Sequence, residues 1–225
     1  MNLQNHWVIG DVHGCIHTLE KLIKKLPKDS VPVFVGDLVD KGIFSKDVLE
    51  FVIQNNYTVV FGNHEYLMYN YARDAIMRNI QSMWSVSKKS YGGLRTVQSY
   101  KNDTDTLLKH IDYITTLPKY LEIGKYFITH GFGLPYYKSK NDKSKLMNIY
   151  TNRLEVPLSD WENGWEEYDI VNIFGHTPYK EVLFGKNYIG VDTGAVFGKK
   201  LSAVNLGTRE VIEQKTVKKD IAKNI

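Results

Sequence analysis

WVIGDVHGCIHTLEKLIKKL, residues 7–26, opens on a short apolar run, breaks at Gly-Asp and continues as an amphipathic segment. Trp7–Ile9 is too short for a helix and is built from β-branched and aromatic types, so it reads as a strand. Ile16, Leu19, Leu22, Ile23 and Leu26 recur at helical spacing and predict a helix behind it. The pattern then repeats. Residues 31–42, VPVFVGDLVDKG, carry a second strand into a second Gly-Asp. Val48, Leu49, Val52 and Ile53 mark a second helix, which Ser45 is placed to cap. Residues 57–65, YTVVFGNHE, end a third apolar run in another glycine break. A β-α-β-α-β opening describes a sheet covered by helices, and the class is α/β.

Further short apolar runs follow at Tyr126–Thr129, Ile170–Phe174, Tyr188–Val191 and Leu201–Leu206. From about Leu67 to Leu117 the texture is polar, helical and aromatic, and reads as a helical insertion or cap within one domain over residues 1–225. Lys138–Glu167 reads as a long polar loop with short helices, and Lys215–Ile225 as a charged, frayed end.

The chain has 225 residues, 43% of them hydrophobic, ample for a buried core. Its 29 Lys and Arg against 25 Asp and Glu leave an excess too small to imply nucleic-acid binding, though it suits an anionic substrate. With Cys15 as the single cysteine, no intramolecular disulfide can form, and a reducing compartment is favoured. No stretch resembles a secretory signal or is apolar enough to span a membrane. The expectation is a cytoplasmic, monomeric protein.

The chemistry gathers where the strands end. Asp11 and His13, then Asp37 and Asp40, Asn63 and His64, His130, and His176 each follow an apolar run. In open α/β sheets ligand sites collect beyond the carboxyl ends of strands, so these residues describe one site. Carboxylates, imidazoles and an Asn carbonyl make a mixed N/O shell that suits Mn, Fe or Zn better than Ca. An Asp between two ions would bridge them at about 3.5–4 Å, the spacing of two-metal phosphoester hydrolysis.

Taken in order, GDVHG, GDLVDKG, GNHE, HG and GH resemble the phosphoprotein phosphatase branch of the calcineurin-like metallophosphoesterases. YIGVDTGAVFGKKLSAVNL, with the spacing of Trp84, Gly92, Gly93, Thr96, Ser99 and Tyr100, is more narrowly similar to bacterial and phage lambda-type members. These comprise serine/threonine phosphatases and the related diadenosine tetraphosphate hydrolases. The resemblance implies a four-layer α/β/β/α sandwich with two divalent ions, Mn2+ foremost and Fe or Zn as alternatives. It implies Asp11 and His13 on the first ion, Asp37 as the bridge, and Asn63, His130 and His176 on the second. His64 matches the general acid and Asp40 its orienting partner. Arg153 stands near the place of a phosphate-clamping arginine, and Lys41 stands where the family carries arginine.

The implied reaction is in-line attack on phosphorus by a metal-bridging hydroxide, without a phosphoenzyme. Hydrolysis of phosphoserine or phosphothreonine in proteins is the leading expectation, and hydrolysis of dinucleoside tetraphosphates the alternative. Asp40 favours the former over symmetrical cleavage, whose enzymes resemble GDLVARG, but does not exclude the asymmetrically cleaving relatives, which keep it. A catalytically dead phospho-ligand binding module is a third reading, against which the complete set of ligand and acid positions speaks. Elsewhere the ordinary readings lead. Cys15 reads as a small buried hydrophobe; His6, His17 and His110 as surface or satisfied core residues; Glu65 as a cap. Asp192 reads either as a partner to a ligand histidine or as a turn former. Trp84, Tyr91 and Tyr100 read as packing between helices ahead of stacking on a base or peptide side chain.

Overall fold

The computed structural model describes residues 3–88, 90–101, 103–154 and 169–221. Two five-stranded mixed sheets carry the molecule. The first is ordered β10 (Val211–Lys215), β9 (Lys200–Asn205), β1 (His6–Ile9), β2 (Val31–Phe34), β3 (Thr58–Val59). The second is ordered β4 (Leu121–Ile123), β5 (Tyr126–Ile128), β6 (Val171–Phe174), β8 (Tyr188–Gly190), β7 (Leu183–Phe184). β1, β2 and β3 run parallel, as do β5, β6 and β8, and the remaining pairings are antiparallel.

Side-chain alternation along the strands explains the layers. Val8, Val33 and Val35 pack with Ile128, Ile173, Ile189 and Val191 in a core formed by residues of both sheets. Their chain neighbours Trp7, Ile9 and Phe34 join a second core with the helices. α1 (Ile16–Ile23) buries Leu19 and Leu22 there, and α2 (Ser45–Gln54) buries Val48, Leu49 and Val52. α3 (Asn63–Met77), α4 (Met83–Val86), α5 (Gly93–Ser99) and α6 (Thr104–Thr116) contribute Met68, Trp84, Val97 and Ile111 to the same helical side. A third cluster of Phe132, Leu134, Phe174 and Tyr188 lies with the second sheet, where Asn172 accepts the Gly133 and Leu134 N–H groups.

The structure departs from the sequence reading at three places. Ser45 does not cap α2; it is the helix's first residue, and its hydroxyl accepts from the Asp40 N–H at 3.0 Å. The helical segment begins at Asn63, ahead of Leu67, because Glu65 ties down its first turn. The C-terminal segment is held rather than frayed as far as it is described. Lys215 ends β10, Thr216 donates to Ala195 O, and Asp220 is fully buried. The expected polar loop shows a 3-10 turn at Leu134–Ser139 and α7 at Leu146–Thr151. Its remainder to Glu167 lies outside the described residues from 155 onward, as do residues 222–225.

Candidate active site

The loops that leave β1, β2, β3, β5 and β6 bring both sheets' carboxyl ends to one place. Their turns are tight. His13, Asp37, Asp40, Lys41 and His176 all hold positive φ, between 45° and 70°, without being glycine. Such backbone costs of order 1–3 kcal/mol per residue and persists where surrounding contacts over-determine it, typically at functional sites. Two glycines make the crowding possible. A Cβ on Gly175 would stand 2.1 Å from Asp11 Oδ1, and one on Gly42 would stand 2.0 Å from His13 O.

Two donor groups share one carboxylate. His13, Asp37 and His64 form the first, and Asp37, His130 and His176 the second, with ligand atoms within 4.8 Å of one another in each. Asp37 turns Oδ2 toward His13 Nε2 at 3.4 Å and Oδ1 toward His130 Nε2 at 3.2 Å. The two imidazoles are oriented from behind. His13 Nδ1–H donates to Val39 O at 2.7 Å and His130 Nδ1–H to Val35 O at 2.9 Å, which aims each Nε2 inward. Asn63 Oδ1 lies 2.8 Å from His130 Nε2. Asp11, 4.0 Å from His13 Nε2, accepts the His176 N–H on both oxygens, so the first and last loops of the site are joined directly.

The charges explain what such a site can take. Burial, with Asp192 and Asp37 nearby, pushes the Asp11 carboxyl well above its usual value. Burial raises Glu65 to about 7, with Asp37 adding to the effect. Burial alone would depress His130, but Asp37's charge and hydrogen bond outweigh it and raise the imidazole to about 9. Concentrated buried carboxylate therefore holds a proton on a neighbouring base, and a divalent cation answers the same field more effectively. With inward-facing imidazole nitrogens, that donor set fits a pair of divalent ions.

His64 and Asp40 form the adjoining feature. His64 Nδ1–H donates to Asp40 Oδ2 at 2.7 Å, leaving Nε2 3.8 Å from Asp37 Oδ2. Asp40 is fully buried and held from several sides. Trp84 Nε1–H donates to its Oδ2 at 2.7 Å, and Thr96 Oγ1 donates to its Oδ1 at 2.5 Å. The sequence reads Trp84 as packing between helices and gives Thr96 no role, whereas both are supports of Asp40. Their signal was the Trp84–Tyr100 spacing, which carries no mechanism until α4 and α5 are seen packed behind Asp40.

The other candidates divide. Lys41 turns into the site, its Nζ donating to His13 Nε2 at 2.8 Å. Arg153 lies at the rim, NH1 donating to His176 O at 3.2 Å from an exposed side chain. Glu65 accepts the Asp37, Leu38 and Gly62 N–H groups, tying the β2 loop to α3. Asp192 accepts the Gly194 N–H at 2.8 Å, the turn-former geometry. Trp84 and Tyr100 are buried, Tyr100 bonded to His110, and Tyr91 is exposed. Cys15 is buried, and burial pushes its thiol up. Beside α3 lies a further cavity of about 340 Å³, lined by Phe61, Tyr66, Tyr69, Lys119, Met147 and Tyr150 among others.

Comparison with known proteins shows the family and the fold. The bis(5'-nucleosyl)-tetraphosphatase PrpE [asymmetrical] of Anoxybacillus flavithermus is 30% identical, covering 91% of each chain. Serine/threonine-protein phosphatase 1 of Salmonella typhimurium is 27% identical, over 91% of this chain and 93% of the other. A solved structure provisionally assigned as a diadenosine tetraphosphatase shares the fold, with a TM-score of 0.68 at 20% identity and 96% coverage of both chains. The model of the calcineurin-like phosphoesterases matches residues 6–204, and the chain belongs to that family of phosphoric ester hydrolases.

Proposed function

We propose that this hydrolase cleaves phosphate monoesters of alcohols, with phosphoserine and phosphothreonine in proteins as its substrate class. The observation that carries the reading is the buried His64–Asp40 pair. A serine or threonine oxygen leaves as a poor, strongly basic anion and needs a proton in the transition state. The terminal phosphate of a nucleotide leaves as a stable anion and needs none. An acid fixed this firmly is of most use to the first kind of substrate.

In this reading Asp11, His13 and Asp37 would hold one divalent ion, and Asp37, Asn63, His130 and His176 a second. Such ions supply Lewis acidity to the phosphoryl oxygens and to the attacking water, and Mn2+ is the expected metal. The remaining steps belong to side chains. His64 Nε2 delivers the proton to the leaving oxygen, while Asp40 holds Nδ1–H and stabilises the imidazolium. Arg153 grips a phosphate oxygen from the rim. Lys41 Nζ holds the His13 Nε2 lone pair that an ion there would need, so with that ion in place the ammonium would be free to pair with a phosphate oxygen.

A second reading, asymmetrical hydrolysis of dinucleoside tetraphosphates, is favoured by the PrpE relative and by the aromatic cavity beside α3, whose ring faces suit a base. One experiment separates the two: kcat/KM for phosphoserine peptides and for diadenosine tetraphosphate, side by side with Mn2+. A preference for the peptides supports the first reading. A preference for the dinucleotide of more than about tenfold, or 1.4 kcal/mol, replaces it with the second.

A further inference from the structure

α1 begins three residues after His13, yet its own N-cap position offers it nothing. Cys15 makes no side-chain cap hydrogen bond, and no acidic residue stands in the helix's first turn. The first N–H groups of a helix need acceptors, and a thiol is a weak one. The acceptor comes instead from the far end of the chain. Asp220 Oδ1 accepts the His17 N–H at 3.2 Å and lies 2.7 Å from His17 Nδ1. Its Oδ2 accepts the Thr18 N–H at 2.8 Å and the Thr18 hydroxyl at 2.6 Å. Thr18 Oγ1 in turn accepts the Val217 N–H at 2.9 Å. Asp220 and Thr18 are both fully buried, so water does not compete for these bonds.

This acceptor lies beyond residues 6–204, the extent of the family match. What it holds is the segment between β1 and α1 that carries Asp11 and His13. That segment is already threaded tightly: Gly14 N–H donates to Leu38 O, and the Val12 and His13 N–H groups both donate to Asp37 O. On its α1 side, the cap comes from Asp220.

We infer that Asp220 is a positioning residue for the metal site: the C-terminal segment latches the first turn of α1 and so fixes the Asp11–His13 loop in ligand geometry. The inference rests on the proposed ligand role of that loop. Asp220 acts through α1 and touches neither ion nor substrate. It sets how tightly the first ion is held, and leaves the chemistry of the loaded enzyme alone.

The test is Mn2+ titrated by calorimetry into chelator-stripped wild type, Asp220→Ala, Asp220→Asn and Asp103→Ala, with hydrogen exchange measured across residues 11–18. Asp103→Ala is the control because it removes the cap of α6, where Asp103 accepts the Thr106 N–H, and its ion pair with Lys46, and contacts neither α1 nor a proposed ligand. Asp220→Ala should weaken the affected Mn2+ site about 10- to 100-fold, the range for outer partners of metal ligands, and speed exchange at residues 11–14. At saturating Mn2+ its kcat should stay within about twofold of wild type. Asp220→Asn keeps one acceptor oxygen and should fall between. Asp103→Ala should lower Tm with Mn2+ affinity unchanged. Folded Asp220→Ala with wild-type Mn2+ affinity and wild-type exchange at residues 11–14 overturns the latch. If that variant does not fold, the same two readings on Asp220→Asn decide. Wild-type protein that binds no Mn2+ overturns the metal-site reading along with it, a result distinct from unchanged affinity.

Discussion

At the scale of single residues, His64 is the sharpest test of the chemistry. His64→Asn should lower kcat on a phosphoserine peptide by about 10²- to 10⁴-fold, the contribution of a general acid. The loss should be smaller on p-nitrophenyl phosphate, whose leaving group hardly needs a proton. Equal losses on both would point to a role in binding. Lys41 offers a second test, because its ammonium already points into the site. Lys41→Ala should reduce kcat/KM by about 10- to 100-fold, matching the ~1.5–3 kcal/mol of a charged hydrogen bond. Lys41→Arg should keep most activity, since it supplies the planar fork that grips phosphate in pairs of N–H bonds. Wild-type kinetics for Lys41→Ala would leave Arg153 as the sole side-chain grip. The residues in these tests were legible in the sequence because Asp, His and Asn are conspicuous at the ends of apolar runs. Their backbone was not. Nothing in GDLVDKG announces that Asp37, Asp40 and Lys41 all take positive φ, because that strain is imposed by contacts remote in sequence.

Among the elements, the helical stretch after β3 does more than cover the sheet. α4 and α5 place Trp84 and Thr96 against Asp40, so they brace the acid pair from behind. Trp84→Phe keeps the ring's packing and removes one donor from a buried carboxylate. It should cost about 1–3 kcal/mol of stability, read by denaturant titration, and lower kcat with little change in KM. A rise in KM alone would place Trp84 at the substrate instead. The long amphipathic elements were legible, since α1, α2 and the core strands bury their patterned residues. The edges were not. β4, β7 and β10 are half-exposed strands without an apolar run, and they exist because a neighbouring strand offers them antiparallel hydrogen bonds. Ser45 shows the same limit. A serine before an apolar run looks like a cap, but here a buried backbone N–H of Asp40 claims it.

Across the whole molecule, the site joins the two sheets. Asp11, His13 and Asp37 come from loops of the first and Asn63 from the start of α3 behind it, and His130 and His176 from loops of the second. A metal pair held there would bind the folded chain alone and therefore add to its stability. Mn2+ at about 100 times its Kd should contribute about 2.7 kcal/mol per site, read as a fall in Tm on adding chelator. Phosphatase activity should vanish with the metal and return with Mn2+. Full activity in protein shown metal-free by elemental analysis would remove the two-metal mechanism. The first sheet also sets an order of assembly. β1 has β2 on one side and β9 on the other, with Trp7 opposite Asn205. Pairings so far apart in sequence pay their loop-closure entropy before they gain any contact, and such topologies fold slowly. On a ribosome, the strand that leads into Asp11 and His13 is made long before β9, the partner of its second edge. A nascent chain halted before Lys200 would hold every proposed metal ligand and still have one edge of β1 unpaired.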